Sequence, residues 1–407
     1  MKKWKEMLRM VPTAPNWRID WRQIEASGLG PLIEKMKITL QNPIWHGEGD
    51  VWTHTRMVCE KLVSLEEYRS LERRKQEEVF LGALLHDIGK IPCTRMEDGR
   101  WTSPNHTAVG ARMARELLWL EYGFCGAGDL KASHEAGDQQ EFCETGNLQK
   151  FRETVCMLIR YHSIPLHILD QKNPELRLIK IAANGELIPD FSIALLCILV
   201  KADIQGRISD SLKYSLEILE LCAIQAEETG CLKHPFPFPT EFSGYVYMNG
   251  RNIMPGQEFY DDTWGQVILM GGLPGTGKDT WIKEHCGNCP VVSLDHLRKQ
   301  MKIFPTDAQG TVINAAREMA KGYMRNQVPF IWNATNLTPM LREKQVRLFT
   351  DYNASVRIVF LETGWEEQMK RNKGRKEQVP EPVIRGMMRS MVLPERYEAH
   401  QVEWRCT

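Results

Sequence analysis

The 407-residue chain has no apolar stretch long enough to cross a bilayer. Its longest clean run, Phe191–Val200, is ten residues and already holds a serine. The opening MKKWKEMLRM is basic but lacks an apolar core and a cleavage site, so no signal peptide is expected. There is no net charge, because 52 Lys+Arg balance 52 Asp+Glu. No internal repeat and no low-complexity tract appears. With 43% apolar and 26% charged residues, a disordered or collagen-like chain is excluded. The eleven cysteines are odd in number and follow no framework spacing, so reduced thiols and a cytoplasmic location are expected. Cys286 and Cys289 form one CxxC, but only His285 stands near, which is too few ligands for a zinc site.

What is present divides in two. At roughly 150 residues per domain, the length implies two or three domains. From Gly265 onward there are 21 Lys+Arg and 15 Asp+Glu, a net of +6, which leaves −6 for residues 1–264. The basic part suits a polyanion and the acidic part suits cations. Stretches 53–68, 76–86, 106–122, 149–162, 191–204 and 210–229 carry apolar residues at three- and four-residue steps, so the first 233 residues read as an all-helical domain. His234-Pro-Phe-Pro-Phe-Pro stops any helix, and 234–264 reads as a Pro/Gly/aromatic linker or strap. Over 265–407, short apolar runs at Val267–Met270, Val291–Ser293, Pro329–Trp332 and Arg357–Leu361 alternate with helical stretches. That is the texture of an α/β domain with a parallel sheet.

Gly272-Leu-Pro-Gly275-Thr276-Gly277-Lys278 follows the first of these strands and opens a helix. This is the P-loop context. The glycines let amides converge on phosphates, the helix N-terminus adds positive potential, and Lys278 neutralises the β and γ phosphates. The usual hydroxyl after the lysine is replaced by Asp279, with Thr280 next; either would serve Mg²⁺. Ser293-Leu-Asp295-His-Leu-Arg298 closes the second strand, where ligands gather. There Asp295 can take a proton and Arg298 can hold a phosphate. Asn333-Ala-Thr335-Asn336 ends the third strand. The run Lys370-Arg371-Asn372-Lys373-Gly374-Arg375-Lys376, with Val379-Pro380 after it, falls where a phosphotransferase lid would lie.

GxxGxGK, SxDxxR, NxTN and RNxxR…VP, in this order, resemble the kinase module of bacteriophage-type 5′-OH polynucleotide kinases over about 140 residues. The resemblance implies that Gly272, Gly275, Thr276, Gly277 and Lys278 cradle the donor NTP (ATP or GTP, with Mg²⁺). It makes Asp295 the general base and Arg298 the acceptor-phosphate ligand. Arg371 and Arg375 become lid arginines, with Arg375 acting on the transition state. RNxxR lids also occur in small-molecule kinases, so the lid alone does not define the acceptor.

In the first half, Val79-Phe-Leu-Gly-Ala-Leu-Leu85 delivers His86-Asp87 at the end of an apolar helix, a placement that calls for a metal or tight pairing. His54 sits on an earlier helix and Asp203 ends a later apolar run. The order H…HD…D resembles the HD phosphohydrolase superfamily, which implies His54, His86, Asp87 and Asp203 as ligands. His106 and His162 fit a second ion, with Asp87 bridging the two. Mixed His/Asp ligation favours Mn, Fe, Co or Ni. His134 and His167 are weaker candidates, read as surface residues. Lys90 is either a phosphate contact or a solvated lysine, and His46, Glu48 and Asp50 could line the pocket. HDIGK lacks the acidic pair of alarmone hydrolases, no GYP element is present, and no nucleotidyltransferase head precedes the motif. A phosphomonoesterase or cyclic phosphodiesterase remains.

An HD module upstream of a polynucleotide-kinase-like module resembles the HD-Pnk family of nucleic-acid end-healing enzymes. That resemblance implies a bifunctional 5′-OH kinase and 2′,3′-phosphoesterase acting on nucleic-acid ends, chiefly RNA, ahead of a ligase and away from membranes. The alternative is an HD nucleotidase fused to a nucleoside or nucleotide kinase. A non-enzymatic nucleotide sensor is disfavoured because both sites keep their reactive residues.

Overall fold

The computed structural model describes residues 3–125, 148–250, 254–304, 307–375 and 377–407. The candidates His134 and Lys376 lie outside them. Two compact units emerge, Met1–Phe236 and Pro237–Thr407.

The first unit is helical. Its principal helices are α1 (Val51–Leu62), α2 (Arg73–Leu85), α3 (His106–Glu116), α4 (Leu148–Tyr161), α5 (Pro174–Ala182), α6 (Ile193–Gln205) and α7 (Leu212–Glu228). Asp50 caps α1 by accepting from the Thr53 amide at 2.9 Å, and Ser192 caps α6 through the Leu195 amide at 3.2 Å. In α2 every residue from Gln76 to Leu85 is buried, and from Val79 onward its pattern is apolar all round rather than striped. α2 packs against α1, α4 and α6, and α3 packs on α4. A buried triad ties the last pair: Arg115 Nε and Arg152 Nε donate to Glu153 Oε1 at 2.8 and 2.7 Å. The helical texture of 53–68 breaks at Val63–Leu65, with a short turn of helix at Glu66–Arg69. That of 106–122 ends in a π-helical turn, Leu117–Glu121. A small antiparallel hairpin, Arg95–Glu97 with Arg100–Thr102, was not evident in the sequence.

In the second unit, β1 (Gln266–Gly271), β2 (Val291–Ser293), β3 (Ile331–Asn333), β4 (Ser355–Glu362) and β5 (Gln401–Cys406) form one parallel sheet in the order β2-β3-β1-β4-β5. Between them run α8 (Lys278–His285), α9 (Leu294–Met301), α10 (Gly310–Arg325), α11 (Pro339–Thr350), α12 (Trp365–Lys373) and α13 (Glu381–Ser390). Residues 237–264 belong to this unit and include a helix, Glu241–Met248. Met270 pairs with Asn333, and Asn333 with Ser293, so β1, β2 and β3 end level with one another. Their carboxyl ends therefore present the loops of one face together, as open parallel sheets do. Among the described residues, no helix is long and apolar enough to cross a membrane, and all ten described cysteines are free.

Candidate functional sites

In the first unit, His54, His86, Asp87, His162 and Asp203 are each at most 3% exposed. They come from α1, the end of α2, the end of α4, and α6. Asp87 is the hub. Its Oδ2 lies 3.1 Å from His86 Nε2 and 3.7 Å from His54 Nε2. Its Oδ1 lies 3.5 Å from His106 Nε2 and 3.8 Å from His162 Nε2. The two oxygens of one carboxylate thus face two different histidine pairs, an arrangement that could hold two ions with Asp87 between them. Asp203 Oδ1 completes the first group, 3.0 Å from His54 Nε2 and 3.9 Å from His86 Nε2.

The ring orientations are fixed from behind. His86, His106 and His162 donate Nδ1–H to the carbonyls of Ala83, Ser103 and Ile159 at 2.8–2.9 Å. His54 Nδ1 faces Glu48 Oε1 at 2.8 Å. Every Nε2 lone pair is thereby turned inward, the usual posture of metal-binding imidazole. His54 and His86 then bring two such lone pairs within 3.3 Å, which is repulsive unless a positive charge sits between them. Burial opposes charge on His86, but Asp87 and Asp203 outweigh it and hold its pKa above the ordinary value. Burial pushes His162 down to about 3 and also lowers His106, leaving neutral donors. Burial alone would raise Asp87, yet His86 and Lys90 keep it well below the usual carboxylate range. Asp87 Oδ1 is buried without a hydrogen bond among the described residues, and Oδ2 faces the Lys90 ammonium at 2.8 Å. The donor set fits a divalent transition metal.

Gly89 explains the glycine of the HDIGK motif. A Cβ there would lie 2.0 Å from the His106 carbonyl and 2.5 Å from the Gly110 amide. Only glycine lets the start of α3 approach closely enough to deliver His106.

Several residues clarify or enlarge the sequence reading. Lys90 is buried, 2.8 Å from Asp87 Oδ2 and donating to Gln41 Oε1 at 2.6 Å, so it is not a solvated lysine. His46 donates Nδ1–H to Glu48 Oε1 at 2.8 Å, and the Ile208 amide donates to Glu48 Oε2 at 2.9 Å. Burial works to raise Glu48, but hydrogen bonds from His46 and His54 hold it well below the carboxylate range. The Asp50 side chain caps α1, and its carbonyl accepts from Gln41 Nε2 at 3.1 Å. His167 is exposed and faces Asp170, as expected of a surface residue. Arg207 was missed: its Nε donates to Asp203 Oδ1 at 3.1 Å and its Nη2 to Asp203 Oδ2. A signal for it was available, since it follows Asp203 by one helical turn. A cavity of about 610 Å³ opens over the cluster, with Asp87, His106, His162, Lys90 and Arg207 in its lining.

In the second unit the loop after β1 has the geometry of a phosphate cradle. Gly272, Gly275 and Gly277 all have positive φ, and a Cβ on Gly272 would meet the Leu361 carbonyl at 2.3 Å. Lys278 Nζ donates to the carbonyls of Gly272 and Leu273 at 2.8 and 2.9 Å. Thr276 Oγ1 donates to the Leu273 carbonyl, closing the loop. Burial pushes Lys278 down to about 8, with Asp279, Asp295 and Arg375 also in electrostatic reach of it. Asp279 Oδ1 accepts from Asn333 Nδ2 at 2.8 Å, which fastens it to the end of β3. Thr280 is exposed.

Asp295 stands in the first turn of α9, its side chain 73% exposed and ion-paired with Arg298 Nη1. Arg298 Nε also donates to Gln309 Oε1 at 2.7 Å. α12 lies on the cradle: Gln368 Nε2 donates to the Pro274 carbonyl at 2.9 Å, and Arg371 Nη1 would touch a Cβ on Gly277 at 3.5 Å. Arg371 also pairs with Glu367 at 2.8 Å. Asn372 exchanges two hydrogen bonds with the backbone of Val379, folding the chain back after Arg375. The NxxR…V spacing is therefore a turn held by one asparagine. Cys286 and Cys289 pack against apolar neighbours in this unit and join no candidate ligand group among the described residues.

Two family models match the chain. Residues 51–183 match the HD domain, and residues 267–394 match an AAA domain, here a P-loop kinase-like one. The first range holds His54, His86, Asp87, His106 and His162; the second runs from β1 past the lid. HD domains bind divalent metals, in keeping with the histidine–aspartate cluster. One polypeptide therefore carries an HD phosphohydrolase domain followed by a P-loop kinase-like domain, and its chemistry is nucleotide-related phosphoryl hydrolysis and transfer.

Proposed function

We propose that this chain heals broken nucleic-acid ends, RNA foremost, as an NTP-dependent 5′-OH polynucleotide kinase and a metal-dependent 2′,3′-phosphoesterase. The observation that carries the reading is the open acceptor side of the kinase site: Asp295 is exposed and paired with a half-buried Arg298, within electrostatic reach of the cradle lysine. A chain end can reach such a site without being enclosed.

In this reading the loop amides and Lys278 hold the phosphates of ATP or GTP, with Asp279 toward Mg²⁺. Asp295 releases Arg298 to the acceptor phosphate and takes the proton of the 5′-OH. Arg371 and Arg375 lie over the transferring group and offset its charge. In the HD domain, His54, His86, Asp87 and Asp203 would hold one Mn, Fe, Co or Ni ion, and His106, His162 and Asp87 a second. The metal supplies Lewis-acid polarisation of the phosphate and an activated water. Glu48 orients His54, and Lys90 and Arg207 are placed to bind the remaining phosphate oxygens. A ligase would use the products, a 5′-phosphate and a freed 3′ end. The free thiols suit a reducing compartment, the cytoplasm.

The test is direct. An oligonucleotide with a 5′-OH and a 2′,3′-cyclic phosphate is incubated with NTP, Mg²⁺ and Mn²⁺, beside free nucleosides and nucleoside monophosphates. The proposal expects both ends of the oligonucleotide to react. Reaction of the small molecules alone would instead indicate a nucleotidase joined to a small-molecule kinase.

A further inference from the structure

The cavity over the HD cluster is larger and more apolar than a phosphate needs. Its polar lining includes Asp87, His106, His162, Lys90 and Arg207, with His46 and Asp170 also bordering it. Trp45, Trp101 and Tyr214 line it as well. Trp45 is 51% exposed and Tyr214 is 66% exposed, although large aromatic side chains usually lose most of their surface in a folded domain. Trp101 belongs to the hairpin strand Arg100–Thr102, which follows the HDIGK segment. Three aromatic side chains from three separate segments therefore border the same cavity as two cations and the metal-type cluster. At about 610 Å³ the cavity lies in the range of organic ligands.

From this we infer that Trp45, Trp101 and Tyr214 are a base-stacking wall, so that the HD site takes the terminal nucleosides of a single-stranded chain rather than small phosphomonoesters in general. The inference rests on the phosphoesterase reading above. The chemistry of the wall favours this occupant. Every nucleobase has a π-face, and stacking on aromatic side chains is indifferent to base identity. A phosphate at the end of such a chain would meet Lys90 and Arg207 at the floor, which gives charge complementarity. The site is accordingly tolerant of sequence but dependent on the presence of a base. A general phosphomonoesterase has no use for three aromatic rings at its mouth.

The experiment uses the full chain loaded with Mn²⁺ and three substrates: a single-stranded oligoribonucleotide with a 2′,3′-cyclic phosphate, the same chain with an abasic terminal residue, and glycerol 2-phosphate. Trp45→Ala and Tyr214→Ala are compared with Trp45→Phe. Stacking is typically worth a factor of about 5 to 140 per base. KM for the base-bearing end should rise by that factor in each alanine variant, with kcat changing little and Trp45→Phe retaining most of the effect. Hydrolysis of glycerol 2-phosphate and of the abasic end should be slow and unchanged. A 5′-fluorescein oligonucleotide with a 3′-phosphate, whose label blocks the kinase acceptor end, should show the same loss by anisotropy without added metal. Equal loss on all three substrates would overturn the inference, because the rings would then be structural. Unchanged KM and anisotropy in the alanine variants would also overturn it while leaving the phosphoesterase reading intact. Hydrolysis of glycerol 2-phosphate with no action on either oligonucleotide would overturn both.

Discussion

Glu48 offers a precise test of how the HD cluster is prepared for its metal. Its Oε1 lies 2.8 Å from both His54 Nδ1 and His46 Nδ1, and its Oε2 accepts from the Ile208 amide at 2.9 Å. The carboxylate side chain is fully buried. Glu48→Ala removes the acceptor that fixes the His54 tautomer, so Nε2 no longer points its lone pair inward at all times. Carboxylate partners of this kind change metal affinity by about 10- to 100-fold, or about 1.4–2.7 kcal/mol. A separate cost of about 1–3 kcal/mol in stability is expected because His46 and the Ile208 amide also lose a buried acceptor. Glu48→Gln keeps the shape and one acceptor oxygen and should fall between. The assay is isothermal titration of metal-free protein with Mn²⁺, with phosphoesterase activity followed against metal concentration. The expected result is a rightward shift in both curves, restored maximal activity at saturating metal, and kinase activity unchanged. Unaltered metal dependence in Glu48→Ala would refute the orientation argument.

Three further expectations follow from particular groups. Burial places Lys278 near pH 8, and an anionic triphosphate selects its protonated form. NTP affinity should therefore be flat below pH 8 and fall by up to about tenfold per unit above it, as titration calorimetry would read. Asp295→Ala should lower 5′ phosphorylation by about 10² to 10⁴ with NTP binding retained; near-normal turnover in a rapid-quench assay would remove Asp295 as the base. Glu153→Ala leaves Arg115 and Arg152 buried without their shared carboxylate and should cost the helical unit about 3–5 kcal/mol in denaturant unfolding.

The parts of both sites that were legible in the sequence are those encoded locally. His86-Asp87 are adjacent, so one helix end fixes both, and the run from Gly272 to Lys278 carries its own geometry in its glycines. His54, His106, His162 and Asp203 were placed by resemblance of order, and the fold brings all four to Asp87 or its neighbours. What escaped depends on tertiary placement. Glu48 was expected only as a residue that could line the pocket; its contacts with His54 and His46 come from the fold. Arg207 follows Asp203 by one helical turn, a local signal that acquires its meaning once Asp203 turns inward. Trp45 and Tyr214 carry no local signature, because the segments holding them meet only at the cavity. The edge strand Gln401–Cys406 was missed because Gln-Val-Glu-Trp-Arg-Cys is mostly polar, as an edge position permits. Gln368 joining the lid helix to Pro274 has no sequence signature at all.

The central claim is that two separately folded units perform two separate phosphate chemistries. Asp87→Ala removes the carboxylate that faces both histidine pairs, and Lys278→Ala removes the cradle cation; neither opens an apolar cavity. The measurement is dual end analysis of one oligonucleotide, labelled to report 5′ phosphorylation and 3′ dephosphorylation together. The account predicts that Asp87→Ala loses only the 3′ reaction, Lys278→Ala loses only the 5′ reaction, and an equimolar mixture restores both. Loss of both reactions from either single substitution in a protein that remains folded would contradict it.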